Sequence, residues 1–318
     1  MSDALPAEFA LIAKYFRPLA GPGSLDLSDD AAFLTPPPGR DLVLTADAMV
    51  AGVHFLPDDP PDLVARKLLR VNLSDLAAKG ATPLGYLITV STPRDTPESW
   101  FAAFAAGLAQ DQAEFGVTLL GGDTTSTPGP VSLSLTILGH VAPGTAVHRS
   151  GASDGDSIWV TGTIGDGALG LAVATGRLTD PSGFLLHRYR LPVPRVGLAI
   201  NGVASAGMDV SDGLIQDLGH ICRASALGAV VDAALVPLSA PARMAGEAWL
   251  ETCLTGGDDY ELLLAVPPAR ETVLRQAAAA RGVPVTRIGA FHSGPPHVMV
   301  RAANGEPLAL TKAGWSHF

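Results

Sequence analysis

The sequence predicts a two-domain α/β protein, and three observations carry that expectation. Short apolar runs alternate with stretches of helical spacing along all 318 residues. Near the middle the texture changes to APGTAVHRSGASDGD, at 141–156, the best place for a junction between domains at 1–142 and 143–318. The apolar runs also end repeatedly in Asp beside Gly, Ser or Thr, as strands of open α/β sheets do where they meet a ligand crevice.

The elements follow in order. Phe9, Ile12, Phe16 and Leu19 keep helical spacing over 7–19, and the GPG at 21–23 ends that helix. LDLSDDAAF at 25–33 carries the paired Asp29 and Asp30. A strand at 42–44 runs into Thr45, Ala46 and Asp47, and MVAGVHF with His54 follows. Val64, Leu68, Val71 and Asp75 fall at spacings of 4, 3 and 4, one face of a helix, with Asn72 on the neighbouring row. A strand at 84–90 and a helix at 97–115, stopped by Gly116, lead to a strand at 117–120 that delivers GGDTT with Asp123 at its end. The alternation at 131–138 is a half-buried strand. Beyond the junction, a strand at 158–160 opens TGTIGDGALG and a helix, and further helices are expected near 181–190 and 194–205. A strand at 207–210 ends in MDVSDGL, with Asp209 and Asp212, before a helix to about 226. A strand at 228–232, a helix near 239–250, TGGDD with Asp258 and Asp259, a strand at 260–266, a helix at 268–281 and strands near 285–290 and 297–301 complete the chain.

Composition bounds the function. A hydrophobic content of 47% with 16% charged residues suits a compact water-soluble chain of two cores. The net charge of −10 argues against a nucleic-acid surface, which needs a basic patch. Two cysteines, Cys222 and Cys253, make no disulfide framework and no zinc pattern. With no signal architecture at the start and no apolar run of the roughly 20 residues a membrane span needs, the expected setting is cytoplasmic.

The aspartates are the chemical signal. Asp75 stands where an inward helix face asks for another Leu, and a buried unpaired carboxylate costs several kcal/mol, roughly, unless a cation or several donors meet it. A buried Asp tied to backbone N–H groups or an Arg is the plainer alternative. Asp30, Asp47, Asp123, Asp209 and Asp258 each close an apolar run; singly, each reads as a cap or turn residue. Together with Asp75 they predict a shared crevice whose charges need cations, and oxygen-only ligands point to Mg²⁺. Glycine-rich turns beside such a cluster suggest phosphate chemistry, although neither the GxxxxGK[ST] loop nor a kinase HRD or DFG set is present. TGTIGDGALG at 161–170 fits a phosphate cradle or a plain strand-to-helix turn equally well. Arg149 is either solvated or an anion contact.

AGVHF (51–55), NLSDLAAKGATP (72–83), GGDTT (121–125), RSGA (149–152), VTGTIGD (160–166), DVSDGLIQDLGH (209–220) and GGDDYEL (256–262), in this order, resemble the bacterial thiamine-monophosphate kinases. These belong to the ATP-binding superfamily named after aminoimidazole ribonucleotide synthetase. The likeness runs from LIAKYF at 11–16 to GWSHF at 314–318. It implies transfer of the γ-phosphoryl of ATP to thiamine monophosphate, giving thiamine diphosphate. Position by position it implies Asp30, Thr45, Asp47, Asp75, Asp123, Asp209 and Asp212 as ligands of several Mg²⁺ ions. It implies Gly122, Asp123, Arg149 and Ser211 as nucleotide contacts, and His54, Asp258 and Trp315 on the substrate side. It also implies a homodimer in which N-terminal mixed sheets join into a barrel, with a C-terminal α/β layered domain completing the substrate site.

Three positions depart from the family pattern. GIGDD reads here as LDLSDD, S-T-D as Thr45-Ala46-Asp47, and GGED as GGDD. A water can stand in for the hydroxyl missing at Ala46, since Mg²⁺ keeps several waters. The chemistry also suits the inventory on its own terms. A phosphate acceptor with a second pKa of about 6 is mostly dianionic at neutral pH and needs no general base. Bringing two polyanions together requires positioning and charge neutralisation, which an Asp-rich site poor in His and Lys can supply. Two alternatives stand beside it: a non-catalytic nucleotide-binding relative, and a sister enzyme that uses ATP to activate an amide or carbonyl oxygen. Trp315 reads as a ring that stacks on the substrate or as a packing residue that pins the tail.

Overall fold

A computed structural model describes residues 7–316. The chain divides into two compact units: one runs to Leu76 and resumes at Ala81–Gly144, while the other takes Ala77–Gly80 and the chain from Thr145 onward.

The first unit begins with helical chain over 7–19, as its apolar spacing predicts, in three successive geometries: α1 (Ala7–Leu11), a π-helical turn at Ile12–Phe16 and a 3₁₀ turn at Arg17–Leu19. Its sheet holds β1 (Asp41–Val50), β2 (Thr82–Thr92), β3 (Thr118–Ser126) and β4 (Ser132–Val141), in the order β1-β4-β2-β3. β2 and β3 are parallel and joined through α3 (Glu98–Phe115); β4 lies antiparallel between β1 and β2. α2 (Pro61–Ala78) connects β1 to β2. Gly116 ends α3 in the left-handed conformation, its N–H on the Gln112 carbonyl. Alternate strand residues are buried on one face: Met49, Tyr86, Ile88, Val90, Leu133, Leu135 and Ile137. Each such side chain contributes roughly 1.5–3 kcal/mol of burial. The other face carries exposed Leu42, Leu44 and Leu87.

The second unit is layered. Its six strands, β5 (Ser157–Thr161), β6 (Ala206–Asp209), β7 (Gly228–Asp232), β8 (Leu262–Val266), β9 (Val285–His292) and β10 (Val298–Arg301), lie in the order β10-β7-β9-β5-β8-β6. All neighbours are antiparallel except the parallel pair β10 and β7. Ile158, Val160, Leu263 and Ala265 pack on one face with Leu214, Leu218 and Ile221 of α6 (Leu214–Ser225). Trp159, Leu262, Leu264 and Val266 pack on the other with Leu274 and Ala278 of α9 (Glu271–Ala280). Four short helices, α4 (Asp166–Ala174), α5 (Phe184–Arg190), α7 (Ala240–Ala245) and α8 (Leu250–Thr255), share a small core of Leu169, Leu185, Ala242 and Cys253. Both sheets are mixed, in agreement with the α/β expectation.

Three expected elements differ. No helix forms at 194–205; Gly197 and Gly202 hold positive φ there, and Asn201 spends its amide on the carbonyls of Lys79 and Thr145. The helix expected near 239–250 is broken at Gly246 (φ 92°) into α7, a 3₁₀ turn and α8. The strand expected from 260 starts at Leu262, because Tyr260 has φ 52°. Among the described residues no helix is long and apolar enough to cross a membrane.

Candidate functional site

In the first unit the helix face of Val64, Leu68 and Val71 is buried, and Asp75 stands at its half-buried end. Among the described residues its partner is neither an Arg nor a backbone N–H: the Thr45 hydroxyl donates to Asp75 Oδ2 at 2.5 Å. Asp47, two residues along β1 and therefore on the same sheet face, receives Asn72 at its backbone, where its N–H donates to Asn72 Oδ1 at 3.1 Å. Asn72 is fully buried and donates in turn to the Leu68 carbonyl. One helical turn thus fixes the register of β1 beside Asp75.

Asp47 and Asp123 were expected at strand ends, in one crevice. Both lie inside strands instead, because β1 runs on to Val50 and β3 to Ser126. Asp47 pairs in the row of Leu135 and Ile88, and Asp123 in the row of Thr89 and Ser134. They therefore leave opposite faces of opposite edge strands, three strand spacings or roughly 14 Å apart. Asp123 joins Asp29, Asp30 and Gly122 around a cavity of 640 Å³ on the open sheet face, with Thr89, Ser134 and Thr136 in its wall. Gly122 is required by close approach, since a Cβ there would meet the Ile88 carbonyl oxygen at 1.8 Å.

The turn before Asp30 bears the LDLSDD departure. Leu25, Asp26 and Leu27 have φ of 52°, 55° and 54°, a left-handed run that glycine takes freely and that costs other residues about 1–2 kcal/mol each. The Arg17 guanidinium holds it by donating to the Asp26 carbonyl at 3.0 Å. Farther along, the Val50 N–H donates to His54 Nδ1 at 3.0 Å, which places the ring's own proton on Nε2.

In the second unit β6 ends at Asp209, buried, and the chain turns through Ser211 and Asp212 into α6. Two other segments are laced to this turn. The Asp258 and Tyr260 N–H groups donate to the Ser211 and Val210 carbonyls, and the Trp315 N–H donates to the Asp212 carbonyl at 2.9 Å. The Gln216 amide bonds the Trp315 carbonyl. Asp209, Ser211, Asp212, Asp258 and Trp315 are thereby brought together. Trp315 is 50% exposed. Arg149 is exposed in a loop whose neighbour His148 accepts the Gly207 N–H.

Asp217, which sequence reasoning did not single out, underlies this turn. Its Oδ2 accepts the N–H groups of Asp212 and Gly213, while its buried Oδ1 has no hydrogen-bond partner among the described residues. Burial first, and then the nearby Asp212 charge, push its pKa up to about 7, against the pull of the N–H groups. Asp212, Asp217 and His220 offer ligand atoms within 4.8 Å of one another. His220 Nδ1, however, faces the Arg223 guanidinium at 2.9 Å, which leaves the ring a proton and not a lone pair on Nε2.

The glycine run 161–170 is not an open phosphate cradle. The Asp259 carboxyl already occupies the start of α4, accepting the Gly165 N–H at 2.7 Å and the Gly167 N–H at 3.1 Å. Burial pushes its pKa well up, and those two N–H groups oppose the shift. Beside it Glu261, fully buried, receives the Thr161 hydroxyl and the Arg188 and Arg195 guanidiniums. No periodicity in the sequence marks this network.

Known proteins bear on these two units. Residues 28–141 match the AIR synthase related protein, N-terminal domain, and residues 153–300 the AIR synthase related protein, C-terminal domain. The thiamine-monophosphate kinase of Caulobacter vibrioides is 47% identical, covering 99% of this chain and 92% of its own length. The crystal structure of thiamine-monophosphate kinase from Stenotrophomonas maltophilia K279a is similar at 39% identity and a TM-score of 0.83, covering 95% of this chain and 98% of that one. The structure of AaThiL complexed with AMPPCP and TMP is similar at 29% identity and a TM-score of 0.77, covering both chains fully.

Proposed function

The chain belongs to the AIR synthase related family and, within it, to the thiamine-monophosphate kinases, and we propose that it performs their reaction by Mg²⁺-assisted in-line transfer. The reaction is phosphorylation of thiamine monophosphate by ATP, giving thiamine diphosphate and ADP. The observation that carries the metal reading is the Thr45–Asp75 pair. Its donors are hard oxygens, Asp47 lies next on the same strand face, and no basic side chain pairs with Asp75 among the described residues. Such a set fits Mg²⁺. We assign Asp30, Thr45, Asp47, Asp75, Asp123, Asp209 and Asp212 as its ligands. When bound, Mg²⁺ neutralises the phosphate oxygens that otherwise repel each other.

The chain's own groups then bind and orient. Gly122, Asp123, Arg149 and Ser211 are assigned to the nucleotide. His54, its Nδ1 held by Val50, offers Nε2–H to the substrate phosphate as a donor, with no proton to remove from a dianionic acceptor. Asp258 and Trp315 are assigned to the thiamine part, whose thiazolium is a permanent cation. The edge strands β1 and β3 and the apolar face with Leu42, Leu44 and Leu87 support a homodimer in which two such sheets join into a barrel. Two free buried cysteines suit a reducing, cytoplasmic setting.

The test is ADP release with and without thiamine monophosphate. Release that depends on the substrate, vanishes in EDTA and returns with Mg²⁺ is the expected result. Its rate should keep rising with Mg²⁺ after ATP is saturated with metal; a plateau at the Mg·ATP ratio would sink the protein-held ions. ADP release indifferent to thiamine monophosphate would overturn the kinase reading.

A further inference from the structure

Two residues of the segment 256–261 hold a backbone conformation that their side chains disfavour. Asp258 has φ 70° and Tyr260 φ 52°, neither of them a glycine. A bulky residue at positive φ is an outlier, and such strain persists only where the surroundings over-determine it. Here they do. The alternate residues point inward: Asp259 onto the N–H groups of Gly165 and Gly167, Glu261 onto Thr161, Arg188 and Arg195. Arg188 also donates to the Asp259 carbonyl at 3.3 Å. From the other side Asp258 and Tyr260 hang by their N–H groups from Ser211 and Val210. The packing leaves no slack, since a Cβ on Gly167 would meet the Asp258 carbonyl oxygen at 2.2 Å.

With the inward pair anchored, the side chains of the strained pair meet: the Tyr260 hydroxyl donates to Asp258 Oδ1 at 3.2 Å. We infer that Tyr260 is a positioning residue for the substrate side, its hydroxyl holding the Asp258 carboxylate in the orientation that receives the cationic thiamine moiety. This rests on the assignment of Asp258 to the substrate. A carboxylate on a short side chain rotates about two bonds; a phenol on one oxygen removes that freedom before the ligand arrives, and preorganised groups bind more tightly.

Tyr260→Phe, Asp258→Asn and the double variant test it, with both KM values, kcat and melting temperature measured for each. Tyr260→Phe keeps the ring and removes one hydroxyl. It should raise the KM for thiamine monophosphate about three- to ten-fold, the net worth of one ordinary hydrogen bond. The KM for ATP and the melting temperature should stay as they were. Asp258→Asn should raise the same KM, and the double variant should be no worse than Asp258→Asn alone, because Tyr260 acts through Asp258. An Asp258→Asn effect with an unchanged KM in Tyr260→Phe overturns the inference and leaves the substrate assignment standing. No effect in Asp258→Asn overturns both. A Tyr260→Phe protein that melts lower and shifts both KM values equally makes the hydroxyl structural and also overturns it.

Discussion

Asp258 and Asp259 are neighbours with opposite work. Asp259 is 1% exposed, and its two oxygens are taken by the N–H groups that open α4. Asp258 is half-buried, its N–H on the Ser211 carbonyl and its carboxylate meeting the Tyr260 hydroxyl. The same contrast separates larger groups. Asp111, bridged by Arg66 and Arg70, and Glu261, bridged by Arg188 and Arg195, have their charges met from within. Asp75 has a hydroxyl, and Asp30 and Asp123 face a cavity. On the assignment proposed above, what distinguishes an anchor from a ligand is the supply of donors around it, not its residue type or its place after a strand.

The largest effect should fall on Asp75. Asp75→Asn preserves shape and removes charge, so a metal-holding role predicts loss of turnover by at least about a hundred-fold with an unchanged melting temperature. The surviving Thr45 hydroxyl can still pair with the amide oxygen, which keeps β1 and α2 in register. Retained activity in a protein that melts lower would move Asp75 to the anchors and break the contrast from one side.

Glu261→Gln probes the other side. It removes the charge that Arg188 and Arg195 share at a fully buried position, leaving Arg188 only the Asp166 carboxylate at 4.0 Å, and breaking one partner of such a pair costs on the order of 3 kcal/mol. The expected signature is a melting temperature lower by several degrees in calorimetry, with kcat per folded molecule nearly kept. A stable protein with impaired turnover would instead make Glu261 part of the chemistry.

Much of this was legible beforehand because it rests on period. The spacing of Val64, Leu68, Val71 and Asp75 gave α2 and its unusual end, and the alternation at 131–138 gave β4. Strand ends were legible only to the first polar residue. Thr45 and Asp47 look like a terminus, yet they face α2, where Asp75 accepts the Thr45 hydroxyl and Asn72 the Asp47 N–H, and the ladder to β4 continues. The buried networks were invisible for a different reason. Glu261 finds Arg188, Arg195 and Thr161 only after folding, at separations of 66 residues or more. The glycines of 161–170 left a phosphate cradle and a plain turn equally open; nothing local could show that the Asp259 carboxyl would fill that helix start.

The smallest effect sharpens the contrast at the tail. Trp315 is fixed through its backbone, by its N–H on the Asp212 carbonyl and its carbonyl on the Gln216 amide, while half of its surface meets solvent. Deleting the ring thus removes little buried area, and Trp315→Ala should leave the melting temperature almost unchanged. A face that stacks on the pyrimidine or meets the thiazolium is worth about 0.5–2 kcal/mol, a several-fold rise in KM for thiamine monophosphate alone. Trp315→Phe should restore much of it, since a smaller ring keeps the stacking face. If alanine lowers stability and weakens both substrates together, the ring is an anchor despite its exposure. In that case the supply of donors would not be enough to tell the two classes of residue apart.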